Sequence, residues 1–128
     1  MSMDLKYLLF SVLLTFVQVV IAAAAANQSV GLNTLAGNRE GMGELPGFAG
    51  RARRAHLNMI ENMVLFTALV LVAALTNKAN AMTAMGALVF FWARLVYAAI
   101  YLLGIPWLRT LAWFVSVIGM GMIAWQLI

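Results

Sequence analysis

No cysteine occurs anywhere in the 128 residues, which excludes a disulfide, a thiolate metal site and a cysteine nucleophile. Histidine occurs once and acidic residues only four times, so no dedicated metal centre is expected. Charge of either sign is scarce: 9% of residues are charged, against roughly a quarter in a soluble domain. The net charge of +4 rests on eight Lys+Arg, too sparse for a nucleic-acid surface. What fills the chain instead is apolar: 65% of it is hydrophobic, so water is not its main solvent.

A membrane helix needs about 20 mostly apolar residues, and four runs qualify. They cover approximately residues 7–26, 55–76, 81–103 and 107–128, within one domain spanning 1–128. The first, followed by "AAAAANQS", has some look of a signal peptide, but its apolar run is longer than an ordinary signal core. "TNKANA" is a polar turn between spans two and three. In "GIP", Gly104 suits a helix end and Pro106 a helix start. Trp107 and Trp125 suit interfacial anchors near the two ends of span four. The expected fold is therefore all-α and integral to the membrane, a bundle of four transmembrane helices.

The only long connection, 27–53, together with the head of span two carries Arg39, Arg51, Arg53 and Arg54, while the third loop adds Arg109. The opposite side has only Lys6 and Lys78. The positive-inside rule then makes the long loop cytoplasmic and puts both termini on the other side.

Charge nevertheless enters the apolar runs. "RARRAHLNMIEN", residues 51–62, holds three arginines, a histidine, two asparagines and a glutamate. At 3.6 residues per turn, Arg54, Asn58 and Glu61 share one helix face. Arg94, Tyr97 and Tyr101 share a face of span three, and Arg109 opens span four with Trp113 and Ser116 following on its side. Antiparallel topology gathers all three faces in one leaflet. Glu61 and Arg94 come to similar depth on neighbouring helices, and a lone charge there costs at least ~2.5–3.5 kcal/mol. Pairing of Glu61 with Arg94 is the expected resolution. Arg51, Arg53 and Arg54 also suit topology signals and lipid-phosphate contacts, and His56 points away from Glu61.

Arginines hold carboxylates, a glutamate holds an ammonium, and Asn and Tyr satisfy amides. A small zwitterionic peptide would engage all of them. A proton-coupled exporter of lipophilic compounds is the rival reading, but such four-span proteins usually rely on an acid in the first span, and the run 7–26 has none.

The pattern R-x-x-x-N-x-x-E at Arg54, Asn58 and Glu61, then A-R-x-x-Y-x-x-x-Y at Arg94, Tyr97 and Tyr101, then Arg109, resembles the MAPEG family. Its members are the membrane-associated proteins in eicosanoid and glutathione metabolism. The resemblance implies a homotrimer with glutathione bound between neighbouring subunits on the cytoplasmic side. It implies conjugation of glutathione to lipophilic electrophiles, reduction of lipid hydroperoxides, or both, without a metal. A non-catalytic, lipid-binding member is the alternative within the family. By position, Arg54, Asn58, Glu61, Tyr97 and Tyr101 match glutathione contacts, with Arg94 beside them as ligand or structural partner. Arg109 matches the arginine that holds the thiol as thiolate, with Tyr101 orienting the sulfur. Arg39 matches a basic residue of the family's first loop. The compact length resembles bacterial members, hence a bacterial cytoplasmic membrane. Trp113 stands where some relatives have tyrosine, and Leu57 where prostaglandin-E synthase has arginine.

Overall fold

The computed structural model describes residues 1–39 and 43–128. Five helices follow one another: α1 (Met3–Val30), α2 (Leu32–Ala36), α3 (Gly47–Leu75), α4 (Ala81–Leu103) and α5 (Pro106–Leu127). No strand occurs among the described residues. All but α2 are long and apolar enough to cross a membrane.

Local chemistry sets the helix ends. Ser2 caps α1 by accepting from the Leu5 amide (3.3 Å). Asn80 and Thr83 form a reciprocal capping box at the start of α4. Gly104 ends α4 in the left-handed region (φ 79°), and Pro106 then occupies the first turn of α5.

Both ends of the 27–53 connection are more helical than hydropathy alone suggests. α1 continues to Val30, and α3 begins at Gly47, eight residues before the apolar run starting near 55. Residues 40–42 of that connection lie outside the described residues. The extension is held by packing of small side chains. Ala22, Ala25 and Ala26 of α1 bury against Leu45, Ala49 and Ala52, so the alanine run of the first span has a partner. At the other end α1 starts at Met3 and so includes Asp4, which is 4% exposed. The first long helix therefore does carry a buried acid, which the apolar run 7–26 stops short of.

α1 packs chiefly on α3 and then on α4, while α5 lies along α4. Two glycines permit that last approach. A Cβ added to Gly86 would lie 2.6 Å from the Gly119 carbonyl oxygen, and one on Gly119 would lie 2.7 Å from that of Gly86. Such contacts between small residues bring helix backbones together where lipid offers no hydrophobic drive. Next to them Phe66 of α3 stacks on Phe90 of α4, with centroids 3.8 Å apart. Met59, Phe66, Val70, Phe90 and Ile123 are fully buried in this cluster. At the same end, Lys78 Nζ donates to the Leu127 carbonyl (3.3 Å) and Asn80 Nδ2 to Gln126 Oε1 (2.8 Å). These bonds tie the end of α5 to the α3–α4 turn.

Candidate functional site

Toward the other end of the bundle, one face each of α3, α4 and α5 converges. Ala55 of α3 and Ala112 of α5 are small enough to let Tyr97 and Tyr101 of α4 pack between the helices, and all four are buried. Around this wedge the polar residues form a connected chain. Arg94 Nη2 donates to Asn58 Oδ1 at 2.8 Å. Asn62 Nδ2 donates to the backbone carbonyl of Asn58 (2.9 Å) and to its Oδ1 (3.2 Å). The Arg94 guanidinium lies 4.1 Å over the Tyr97 ring, and the Tyr97 and Tyr101 rings are 5.6 Å apart. Arg109 lies 4.6 Å over the Tyr101 ring, while Arg54 Nε donates to the Tyr101 hydroxyl at 3.3 Å. Asn58, Tyr97, Arg109, Thr110 and Trp113 line a cavity of about 160 Å³ beside this chain.

Six residues picked out by spacing thus meet: Arg54, Asn58, Arg94, Tyr97, Tyr101 and Arg109. Each is on the face expected of it, because i, i+3, i+4 and i+7 positions align on an α-helix whatever its partners.

The expected Glu61–Arg94 pair does not form. Arg94 is 1% exposed and donates only to Asn58, and among the described residues its Nε and Nη1 have no hydrogen-bond partner. Glu61 is exposed instead, and its neighbour Asn62 is buried. Adjacent positions are about 100° apart on a helix. A modest rotation of α3 therefore decides which of the two enters the bundle, and here it is the uncharged amide. Asn62 is the site-side residue that spacing missed. The signal was a second asparagine four positions after the first, where a side chain can brace its neighbour across one turn.

Arg39 is also placed apart. Its Nε donates to the Leu35 carbonyl (2.8 Å), at a residue in the left-handed region (φ 62°). With Arg53, His56 and residues of α1 it lines a second cavity of about 170 Å³. That cavity does not share a lining residue with the first. His56 Nδ1 is buried there without a partner among the described residues. No group of three or more histidine, aspartate or glutamate side chains able to hold a metal occurs among the described residues.

Chemically, the first cluster offers donors far in excess of acceptors. A guanidinium has five N–H groups; Arg94 commits one of them to a neutral amide and keeps the rest out of reach of water. A buried cation without an anion is costly in hydrocarbon. The arrangement is suited to an anionic ligand that enters from outside the chain, with aromatic faces to pack on it.

Comparison with curated proteins gave no match, and neither did comparison with solved structures. The MAPEG family model, however, matches residues 7–128, which takes in every residue of the cluster, and the chain is therefore a multi-pass integral membrane protein belonging to the MAPEG family.

Proposed function

We propose that this protein is a glutathione-dependent membrane enzyme that conjugates glutathione to lipophilic electrophiles, reduces lipid hydroperoxides, or does both. The observation that carries the reading is Arg94: fully buried, stacked on Tyr97, with Nε and Nη1 lacking partners among the described residues. Family membership adds glutathione as the ligand class to which such donors would be addressed.

In this reading Arg94 and Arg54 take glutathione carboxylates, and the exposed Glu61 takes its ammonium. Asn58 and Tyr97 meet its amides. Arg109, at the first turns of α5 and over the Tyr101 ring, faces the sulfur. A free thiol has a pKa near 8.5, so little of it is thiolate at neutral pH. Lowering that value by about two units takes roughly 2.7 kcal/mol of differential stabilisation. One guanidinium in a partly dry site supplies an effect of that order. In conjugation the thiolate electron pair forms the new C–S bond and the leaving group departs with its own pair. In peroxide reduction the thiolate takes the distal oxygen to give the sulfenic acid, and the O–O bonding pair leaves with the lipid alkoxide, which takes up a proton to become the alcohol. A second glutathione then closes the disulfide and releases water.

The chain would act as a homotrimer. Glu61 and Arg54 are exposed on the single subunit, and Arg39, Arg53 and His56 surround the other cavity. A site shared between copies would bring these two basic clusters to one ligand. The arginine-rich end would face the cytoplasm, with both termini on the far side, in a bacterial inner membrane. Isothermal titration with glutathione in detergent, read together with thiolate absorbance, tests the enzyme. No binding would remove it, and native mass spectrometry showing only monomers would remove the trimer.

One observation favours a second reading. Asp4 is buried in the first turn of α1, and its Oδ2 has no partner among the described residues; a buried acid on a membrane-spanning helix is the kind of group a proton-coupled exporter uses. Proton-driven movement of lipophilic cations by reconstituted protein, lost in Asp4→Asn, would favour it over the enzyme.

A further inference from the structure

The arginine cluster at the head of α3 is only partly used by the site just described. Arg54 faces Tyr101 and Arg53 lines the α1-side cavity, but Arg51 belongs to neither. It crosses to the α4–α5 corner. Its Nε donates to the Leu102 carbonyl at 3.1 Å. Its side chain lies over Gly104, where a Cβ would be 3.5 Å from Arg51 Cδ and 3.9 Å from Cζ. That bond fixes the guanidinium through one nitrogen, and among the described residues the two Nη groups, the edge that grips phosphate or carboxylate, make no hydrogen bond.

From the same corner an outward-facing groove of about 520 Å³ runs between α4 and α5. Its walls are wholly apolar, among them Trp92, Val96 and Ile100 on α4 and Leu108, Leu111 and Val115 on α5. Ile100 and Leu108, the lining residues nearest the corner in sequence, flank Gly104 four positions to either side. Trp92 is 50% exposed in this groove although it lies halfway along a membrane-spanning helix. Indoles usually sit at the interface with their N–H wet, so a half-bare Trp92 at mid-span marks a surface that something apolar covers. Trp107, 82% exposed, stands at the corner itself in the first turn of α5, where an indole suits the membrane interface.

A cationic fork at the head, an interfacial aromatic beside it and a chain-wide apolar groove below match one kind of molecule. We propose that the α4–α5 groove is a bound-lipid site for an anionic phospholipid, with the phosphate-bearing headgroup on Arg51 and an acyl chain along Trp92 and Val96. This site is independent of glutathione binding, since neither Arg51 nor Val96 lines the polar cavity. The lipid covers the outer seam of the α4–α5 pair that carries Arg94, Tyr97, Tyr101 and Arg109, and so braces the site from behind.

The test is native mass spectrometry of the full chain, released from detergent with phosphatidylglycerol or phosphatidylcholine of identical acyl chains. Both lipids offer a phosphate, but the choline ammonium offsets its attraction to the guanidinium, so wild type should retain phosphatidylglycerol with a preference of about tenfold. Arg51→Gln should lose the preference. Arg53→Gln removes the same charge one turn-face away and should keep it. Val96→Trp fills the groove from its exposed wall and should lose both lipids. Equal retention of the two lipids by wild type would overturn the proposal, as would equal losses in Arg51→Gln and Arg53→Gln, which signify diffuse surface charge. Full lipid retention in Val96→Trp would place the chain elsewhere. A change of oligomeric state in Val96→Trp, with no lipid on wild type, would give the groove to a second copy instead.

Discussion

The two ends of the bundle are held together by different physics. Around Phe66, Phe90, Gly86 and Gly119 the helices meet through stacked rings and backbone contact, with hydrogen bonds confined to the turn outside. Around Arg94 they meet through side-chain hydrogen bonds and cations over aromatic rings, and some donors are left over. An apolar contact is complete in itself. A buried guanidinium with one neutral partner is not, and it holds a place for something else. The packed end is thus suited to carry stability, and the polar end gives some up for a site.

The comparison breaks most sharply at Phe66. It is fully exposed to neither water nor lipid, at 0% exposure, and loses a ring stacked at 3.8 Å when truncated. Phe66→Ala should lower the unfolding free energy by about 3–5 kcal/mol. Thermal or denaturant unfolding in detergent measures this, and glutathione affinity of the protein that remains folded should be little changed. A loss under about 1 kcal/mol would mean that the packed end is not where stability resides.

Arg109 is the counterpart at the polar end. Arg109→Ala should reduce turnover about a hundredfold, the equivalent of the roughly 2.7 kcal/mol assigned to thiolate stabilisation. The thiolate absorbance of bound glutathione should vanish while affinity falls only modestly. Unfolding should shift little, because among the described residues Arg109 makes no side-chain hydrogen bond and lies over the Tyr101 ring. Full activity in this variant would move thiol activation to another residue, Arg39 first.

How much of this was legible beforehand follows the same division. The four long helices could be read from apolar runs because hydrocarbon demands them, and the converging faces from i, i+4, i+7 spacing because helix geometry demands it. Rotation of one helix against another could not be read. It depends on how Ala22, Ala25 and Ala26 seat against Ala49 and Ala52, and no local rule encodes that fit. The consequence falls on Glu61 and Asn62, neighbours that exchange inside and outside for one such rotation. The early start of α3 and the burial of Asp4 escaped for a related reason: hydropathy averages over a window, whereas burial is decided side chain by side chain.

Asn58 tests the polar chain itself. Its Oδ1 accepts from both Arg94 and Asn62, so Asn58→Ala removes the only hydrogen bond that Arg94 makes among the described residues. A hydrogen bond to a charged group is worth about 1.5–3 kcal/mol, and stranding a buried charged donor costs at least that order. Asn58→Asp should instead supply the anion that Arg94 lacks and stabilise the unliganded protein, while competing with glutathione for the same donors. Calorimetric unfolding with and without glutathione separates these outcomes. Equal stability of Asn58→Ala and wild type would mean that water meets Arg94 in place of the amide.

The smallest expected shift is the one that most sharpens the contrast. Had Glu61 and Arg94 formed a buried ion pair, removing either member would strand the other and cost about 3–5 kcal/mol. With Glu61 exposed and Arg94 bonded to Asn58, Glu61→Gln breaks no buried contact of the single chain. It should change stability by no more than about 0.5 kcal/mol, the range of ordinary surface substitutions. Glutathione affinity should nevertheless fall, because the ammonium loses a charge-assisted partner worth roughly 1.5–3 kcal/mol. Paired measurements of unfolding and titration on the one variant suffice. A large stability loss without ligand would show that Glu61 is buried against a neighbouring copy, and unchanged affinity would remove it from the site.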